Sequence, residues 1–358
     1  MTFTLSEEQR LLKDAARDFI REQAPVSRLR RMRDEKKNGR EPDLWREMSA
    51  MGWAGILVPE EYGGAGLGYV GLGLVLEETG RTLAASPLLS TAMIGASALM
   101  LAGSDGQKQE WLPKIASGET IVALAIDEGA HHAPGKSMLA AAKRRLTGEK
   151  KFVADGHIAD LFVVAGQNAL FLVRADAERL TRRELKTVDS RGAADLKLAD
   201  VEAEEIGGGA EVIDQILDRA RIGLAAEMLG QAWEAFEITG EYLKTRKQFG
   251  QVIGGFQALQ HRAAKMFTEL ELTRSCVYAA LDALDRNDNS IPEFASLAKA
   301  RAADTLHLVS NEMVQLHGGI GMTDEHDAGL YLKRARVAEA LYGGVAFHRD
   351  RYAALLGF

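Results

Sequence analysis

The sequence predicts a mainly α protein with a central β module. It should have an N-terminal helical domain over residues 1–118, a small antiparallel β domain over 119–208, and a C-terminal four-helix bundle over 209–358. Three observations carry this expectation. Apolar residues recur at helical spacing through the first third. Short apolar runs bounded by glycine fill the stretch from about 119 to 205. Long helical segments return from Glu211 onward. The length agrees, because 358 residues are too many for one core and suit two or three units at about 100–200 residues each.

In chain order, Ser6 and Gln9 have the spacing of a capping box, in which a hydroxyl and a side-chain amide satisfy two orphan amides. Leu12, Ala15, Ala16, Phe19 and Ile20 then share one helical face. The polar stretch Arg28 to Glu41 reads as a solvated helix or loop, and Leu44 to Met51 as a short helix ended by Gly52. Residues 59–68 must turn, since four glycines in six positions permit no regular element. Val70 to Thr79 and Leu88 to Leu101 resume helical spacing. Ile121 to Ile126 and Lys150 to Asp155 read as strands. Leu161 to Ala165 and Ala169 to Val173, three turn-like residues apart, read as a hairpin. With no helices between them, these strands suggest a small antiparallel sheet or barrel. Four long helices are expected at roughly 211–246, 256–286, 292–317 and 327–356, and their short links imply an antiparallel bundle.

Composition excludes several classes of function. With 46% hydrophobic and 27% charged residues and no low-complexity tract, the chain is not disordered. Its 44 Lys plus Arg against 51 Asp plus Glu give a net charge of −7, so no nucleic acid and no anionic membrane surface is expected as a partner. Cys276 stands alone, which leaves no intrachain disulfide and no cysteine zinc site. The opening residues are neither basic nor apolar enough for a signal peptide, and no run of about 20 apolar residues spans a bilayer. A soluble protein of a reducing compartment, the cytoplasm, is expected.

Two segments carry candidate chemistry. Tyr242 to Gly250 followed by Phe256-Gln257 puts basic residues and an aromatic at a helix end. They either complement the helix dipole, with Gly250 as the stop, or place an arginine to grip a phosphate bidentately. Val314 to Gly321 is a glycine cluster closing another helix, a C-cap or a place where a ligand approaches the backbone. It is not a dinucleotide fingerprint, because no strand precedes it. His131-His132 lacks a third ligand and reads as a pair of exposed loop histidines. Thr323 to Asp327 lacks EF-hand spacing and reads as a charged helix start.

Six segments in register resemble the flavin-dependent acyl-CoA dehydrogenases, over nearly the whole chain. They are Val58 to Leu67 with Glu77-Glu-Thr-Gly-Arg81; Gly103 to Lys108 with Leu112 to Glu119; Gly148-Glu-Lys-Lys-Phe152; Asp189-Ser-Arg-Gly192; Arg246 to Gly250; and Gln315 to Gly321. The resemblance implies bound FAD, a CoA thioester substrate, a tetramer, and electron-transfer flavoprotein as the electron acceptor. It implies that Arg246, Gln248, Phe249 and Gln257 lie along the adenine-dinucleotide part of FAD. Gln315, Gly318 and Gly319 would meet that part of a neighbouring subunit's cofactor. Phe152 lies in the segment that resembles the strand reaching the flavin. Asp218 and Arg221 match positions that contact CoA or shape its pocket.

The family reaction removes the proton alpha to the thioester carbonyl while the beta hydrogen leaves as hydride, and a glutamate usually takes the proton. The usual glutamate position, in Leu341-Tyr-Gly-Gly-Val-Ala-Phe347, is Gly343, and the alternative position before Arg221 is Ala220. Neither residue accepts a proton, and a missing general base costs about 10²–10⁴ in rate. Val345 replaces a threonine, Phe347 a glutamine, Phe152 a tryptophan and Ala154 a flavin-bonding threonine. Ile126 to His132 departs from the family's flavin-facing loop. Glu339, Glu227 and Asp218 are the carboxylates left as substitute bases. The pattern is similar to the short, base-lacking subunits of heterotetrameric bacterial members that oxidise bulky thioesters such as those of steroid side chains. Two other readings use the same fold: a flavin monooxygenase, and a non-catalytic assembly subunit.

Overall fold

A computed structural model describes residues 4–142, 144–166 and 168–358. Helix α1 (Glu7–Gln23) starts at the expected capping box. The Ser6 hydroxyl accepts from Gln9 N at 3.1 Å, and the Gln9 amide oxygen accepts from Ser6 N at 3.0 Å. The polar stretch that follows forms α2 (Val26–Asp34), which buries Leu29 and Met32. α3 (Pro42–Ala50) is followed by Gly52 in the left-handed region. The glycine segment is a short 3-10 turn and loop leading to α4 (Gly68–Arg81). A π-helical turn (Leu89–Gly95) runs into α5 (Ala96–Ala102), and α6 (Asp105–Ala116) ends the helical first third.

The β region comprises β1 (Val122–Ala125), β2 (Ala140–Ala142), β3 (Arg145–Ala154), β4 (Leu161–Ala165), β5 (Leu170–Arg174), β6 (Leu180–Leu185), β7 (Ala193–Glu202) and β8 (Glu204–Ile206). They form two four-stranded sheets, ordered β1-β4-β5-β8 and β2-β3-β7-β6. β4 and β5 make the expected hairpin, with Leu161 opposite Arg174. One pairing departs from the antiparallel expectation: β1 runs parallel to β4, Val122 opposite Leu161. Periodicity marks a strand but carries no information on the direction of its neighbour. Ala123, Phe162, Val164, Phe171 and Val173 of one sheet pack with Leu146, Val153, Leu196, Leu198 and Val201 of the other in one buried core.

The last third contains α7 (Ala210–Thr245), the strands β9 (Lys247–Gln248) and β10 (Gln251–Val252), α8 (Gln257–Asp285), α9 (Ile291–His317), α10 (Ala328–Ala340) and α11 (Val345–Leu355). One sequence expectation is met here and one is corrected. The helix expected over roughly 211–246 ends at Thr245, so Gly250 is not its stop. Residues 247–252 instead form a two-residue hairpin with Phe249 at φ 52° and Gly250 at φ 81°, the paired positive angles of a type I′ turn. The single helix expected over 327–356 is broken at Leu341–Gly344, where Tyr342 and Gly343 take φ of 57° and 105°.

The chain packs as two compact units. One is drawn from residues up to 27, 73–84 and 221–358, the other from 28–72 and 85–220. In the first, α4 and α7 cross with their backbones in contact. A Cβ on Gly80 would lie 2.0 Å from the Glu227 carbonyl oxygen, and one on Gly230 would lie 1.7 Å from that of Glu77. The motif Glu77 to Arg81 supplies a buried ion network to the same unit. Lys13 Nζ lies 2.8 Å from Glu77 and Arg17 lies 3.3 Å from Glu78, while Arg81 reaches Glu234 at 2.9 Å and Glu237 at 3.0 Å. Burial, and then the neighbouring Glu77, push the Glu78 carboxyl above its usual range. Among the described residues no helix is long and apolar enough to cross a membrane.

Candidate active site

Two of the segments singled out in the sequence meet at one end of the bundle. Tyr242, one turn before the end of α7, donates its hydroxyl to the His317 carbonyl at 3.3 Å and lays its ring on the His317 ring at 4.3 Å. His317 in turn stacks on His326 at 4.2 Å. This aromatic column brings the hairpin after α7 close to the glycine turn after α9. Arg246, Gln248, Phe249 and Gln257 are exposed, Phe249 by 90%, and so are Gln315, Gly318 and Gly319. Phe249 is steadied by an edge contact with Phe256 at 6.1 Å. Among the described residues the Arg246 guanidinium makes no hydrogen bond or ion pair. Space is open where side chains on Gly318 and Gly319 would project. An uncommitted guanidinium beside bare backbone suits a pyrophosphate, which takes bidentate charge-assisted bonds and close backbone approach. The chemistry of this donor set therefore fits FAD, the cofactor of the family identified below. Tyr242, His317 and His326 carry no sequence signal of their own, since a ring stack between two helix ends has no spacing rule.

In the other unit, β3 carries a bulge, and its register to β7 shifts between Lys150 and Val153. A bulge inserts one unpaired residue and turns it outward. Here that residue is Phe152, at φ 50° and 43% exposed, its backbone N donating to Asp195 Oδ1 at 3.0 Å. Beside it the loop 127–138 is pinned from below. Lys150, fully buried, donates to Glu128 at 2.7 Å and to the Ile126 carbonyl at 3.1 Å. Glu128 also accepts from Met138 N at 2.7 Å. Burial pulls the Lys150 ammonium below its usual range. The Glu128 carboxyl opposes burial with bonds from Lys150, Ser137 and Met138, and ends below its own. His131 is exposed as expected, but His132 is not: its ring is covered and its Nδ1 lies 2.9 Å from Asp127. Ala154 is the last residue of β3, half-buried.

The two positions where a base is expected are both buried. Ala220 lies within α7 with no exposure. Gly343 lies in the turn between α10 and α11, a turn held from beneath by three buried donors. Lys299 Nζ donates to the carbonyls of Glu339 and Gly343, each at 3.1 Å. Arg221 Nε reaches the Tyr342 carbonyl at 3.4 Å, and His348 Nε2 reaches the same carbonyl at 3.1 Å. Burial, only partly offset by Glu339, lowers Lys299 to about 7. Burial, with Lys299 and Arg221 nearby, lowers His348 to about 2. Arg221, matched in the sequence to a CoA-contacting or pocket-shaping position, is thus fully buried and holds this turn.

The substitute carboxylates stand as follows. Glu227 is buried in an ion pair with Arg334 at 2.8 Å. Glu339 is held by Arg336 at 2.6 Å and by His307 at 3.2 Å. Asp218 is 1% exposed on α7.

Helices precede and follow a small β module, and an arginine and two glycines stand exposed at one bundle end. The N-terminal domain model of acyl-CoA dehydrogenases matches residues 6–119, and the C-terminal domain model matches residues 207–356. The chain belongs to the acyl-CoA dehydrogenase family and is an oxidoreductase. It is 32% identical to the acyl-CoA dehydrogenase IpdE2 of Mycolicibacterium smegmatis over 347 residues, covering 95% of this chain and 96% of that one. It is also 32% identical to the mitochondrial isovaleryl-CoA dehydrogenase of Pongo abelii, covering 94% and 85%. Among solved structures it resembles a variant of the Tcur3481–Tcur3483 steroid ACAD, at 33% identity and TM-score 0.90 with 99% and 98% covered. It likewise resembles the ChsE4–ChsE5 complex of Mycobacterium tuberculosis, at 26% identity and TM-score 0.90 with 99% of each chain covered.

Proposed function

We propose that this chain takes part in α,β-dehydrogenation of a CoA thioester as one subunit of a hetero-oligomer, with the general base supplied by a second, base-bearing chain. The observation that carries the reading is the turn at Gly343. Neither it nor Ala220 offers a carboxylate, and the nearby Glu227 and Glu339 are engaged by Arg334 and by Arg336 with His307. Protonating Glu227 would strand the buried Arg334 charge, which makes it a poor proton acceptor.

FAD, when bound, supplies the hydride acceptor. In this chain Arg246 would hold the pyrophosphate, with Gln248, Phe249 and Gln257 along the dinucleotide, while Gln315, Gly318 and Gly319 would meet that part of a neighbouring subunit's cofactor. By the same resemblance Phe152 belongs to the strand that reaches the flavin, and Asp218 and Arg221 to positions that contact CoA or shape its pocket. Relatives described as steroid dehydrogenases and as two-protein complexes support a bulky, steroid-derived acyl group and a heterotetramer. Electron-transfer flavoprotein as acceptor and a cytoplasmic location belong to the same proposal.

The test is an anaerobic titration of the purified chain, reconstituted with FAD, against acyl- and steroid-CoA thioesters. Repeating it after co-expression with a family member that carries the glutamate completes the comparison. Bleaching of the flavin absorbance only in the co-expressed sample is expected. Bleaching by the lone chain overturns the reading. Flavin that bleaches in neither sample but consumes oxygen once reduced favours the monooxygenase alternative.

A further inference from the structure

At position 343, the usual place of the family's base, the structure leaves no room for a side chain. A Cβ built on Gly343 would lie 2.5 Å from Phe347 Cδ1 and 2.9 Å from His348 Nε2, well inside contact distance, at a φ of 105° that L-residues avoid. Neither neighbour is free to move aside. The Arg221 guanidinium lies over the Phe347 ring, 5.4 Å from its centroid, and the His348 ring meets it edge-on at 5.1 Å. Arg221, His348 and Lys299 meanwhile hold the carbonyls of the same turn. A ring sandwiched against a fully buried guanidinium gains cation–π stabilisation that rotation would forfeit. The direction in which a residue at 343 would project is therefore filled by an aromatic ring one helical turn further along.

We propose that Phe347 is a plug. It occupies the side-chain space of position 343, so the turn between α10 and α11 is closed to a carboxylate and commits this chain to drawing its base from another polypeptide. The packing half stands on geometry alone; the functional half rests on the partner reading given above.

A stability cycle tests the packing half without cofactor or activity. Melting temperatures are measured for the wild type, Gly343→Ala, Phe347→Ala and the double variant. Gly343→Ala in the wild-type background is expected to lower the midpoint by about 2–6 °C. In the Phe347→Ala background the same change should cost measurably less, because the colliding ring is gone while the strain at φ 105° and the His348 contact remain. Equal losses in the two backgrounds overturn the proposal.

A second arm reads function. Gly343→Glu alone, with FAD bound, should leave the flavin unbleached by thioester, whereas Gly343→Glu with Phe347→Ala should bleach it at least tenfold faster. A single variant as fast as the double also overturns the plug. If the wild-type lone chain itself bleaches, the partner reading fails, and the stability cycle still decides the packing.

Discussion

Lys299 shows how one residue can matter without touching substrate. A neutral amine has two hydrogens to donate, and the carbonyls of Glu339 and Gly343 take two bonds. Its folded pKa of about 7 lies far below the unfolded value of 10.5, so between those limits the unfolded chain binds more protons than the folded one. Stability should therefore rise with pH from about 7 to about 10.5, by up to about 1.4 kcal/mol per pH unit from this group. Lys299→Met should remove that slope in urea titrations run across the window. It should also lower stability, because two buried carbonyls lose their donor. His348 works at lower pH in the same sense. Its folded pKa is depressed, so stability should fall as pH drops below about 6.5, and His348→Asn should flatten that acid limb. At the other end of the bundle, Arg246→Ala should weaken FAD binding about tenfold, read by flavin fluorescence on the apo chain. An exposed guanidinium with no protein partner has little structural work to lose, so the melting temperature of the apo chain should stay within a degree or so.

At the scale of elements, the crossing of α4 and α7 is tightly constrained. Each helix places a glycine against a carbonyl of the other, Gly80 on Glu227 and Gly230 on Glu77. No side chain can be fitted at 1.7 Å from a backbone oxygen, so Gly230→Ala must push the helices apart and should cost about 1–3 kcal/mol in urea denaturation. Had Gly230 served only helix flexibility, alanine would instead stabilise through its higher propensity. The helix boundaries show what spacing can tell and what it cannot. Ser6 and Gln9 satisfy each other within one turn, so the start of α1 is legible from four residues. The end of α7 is legible to within a residue, but the hairpin that follows it is not. Residues 246–250 keep helical composition, but Phe249 and Gly250 together adopt the positive φ pair of a hairpin, and the strand that returns to residue 252 wins. The break at 341–344 had a local signal in Gly343-Gly344, overridden by the helical spacing on either side, and Lys299 and Arg221 hold the turn from a distance.

For the whole molecule, the central expectation is dependence on a second chain. The purified chain is expected to retain FAD in part and to show no thioester bleaching. Co-purification with a glutamate-bearing family member should restore turnover by about 10²–10⁴, the range a general base supplies. Light scattering on the mixture should give the mass of a mixed tetramer. A lone chain that turns over at the mixture's rate would refute the dependence.

What the sequence determined by itself is local or compositional. The order helices, β module, helices follows from the change in apolar period. The expectation of an absent base comes from Gly343 and Ala220 in motifs that resemble the family's, and that of an arginine–glycine cofactor surface from Arg246 to Gly250 and Gln315 to Gly321. Tertiary structure alone decided the rest. It made β1 run parallel to β4, covered the His132 ring, buried Arg221 away from solvent, and set the Phe347 ring where a side chain on residue 343 would go. The physical reason is the range of the forces involved. Capping, turn angles and amphipathic spacing act over a few residues, and their marks stay in the local string. Strand direction, the burial of a charge and the filling of a gap depend on which surfaces meet after the chain has folded.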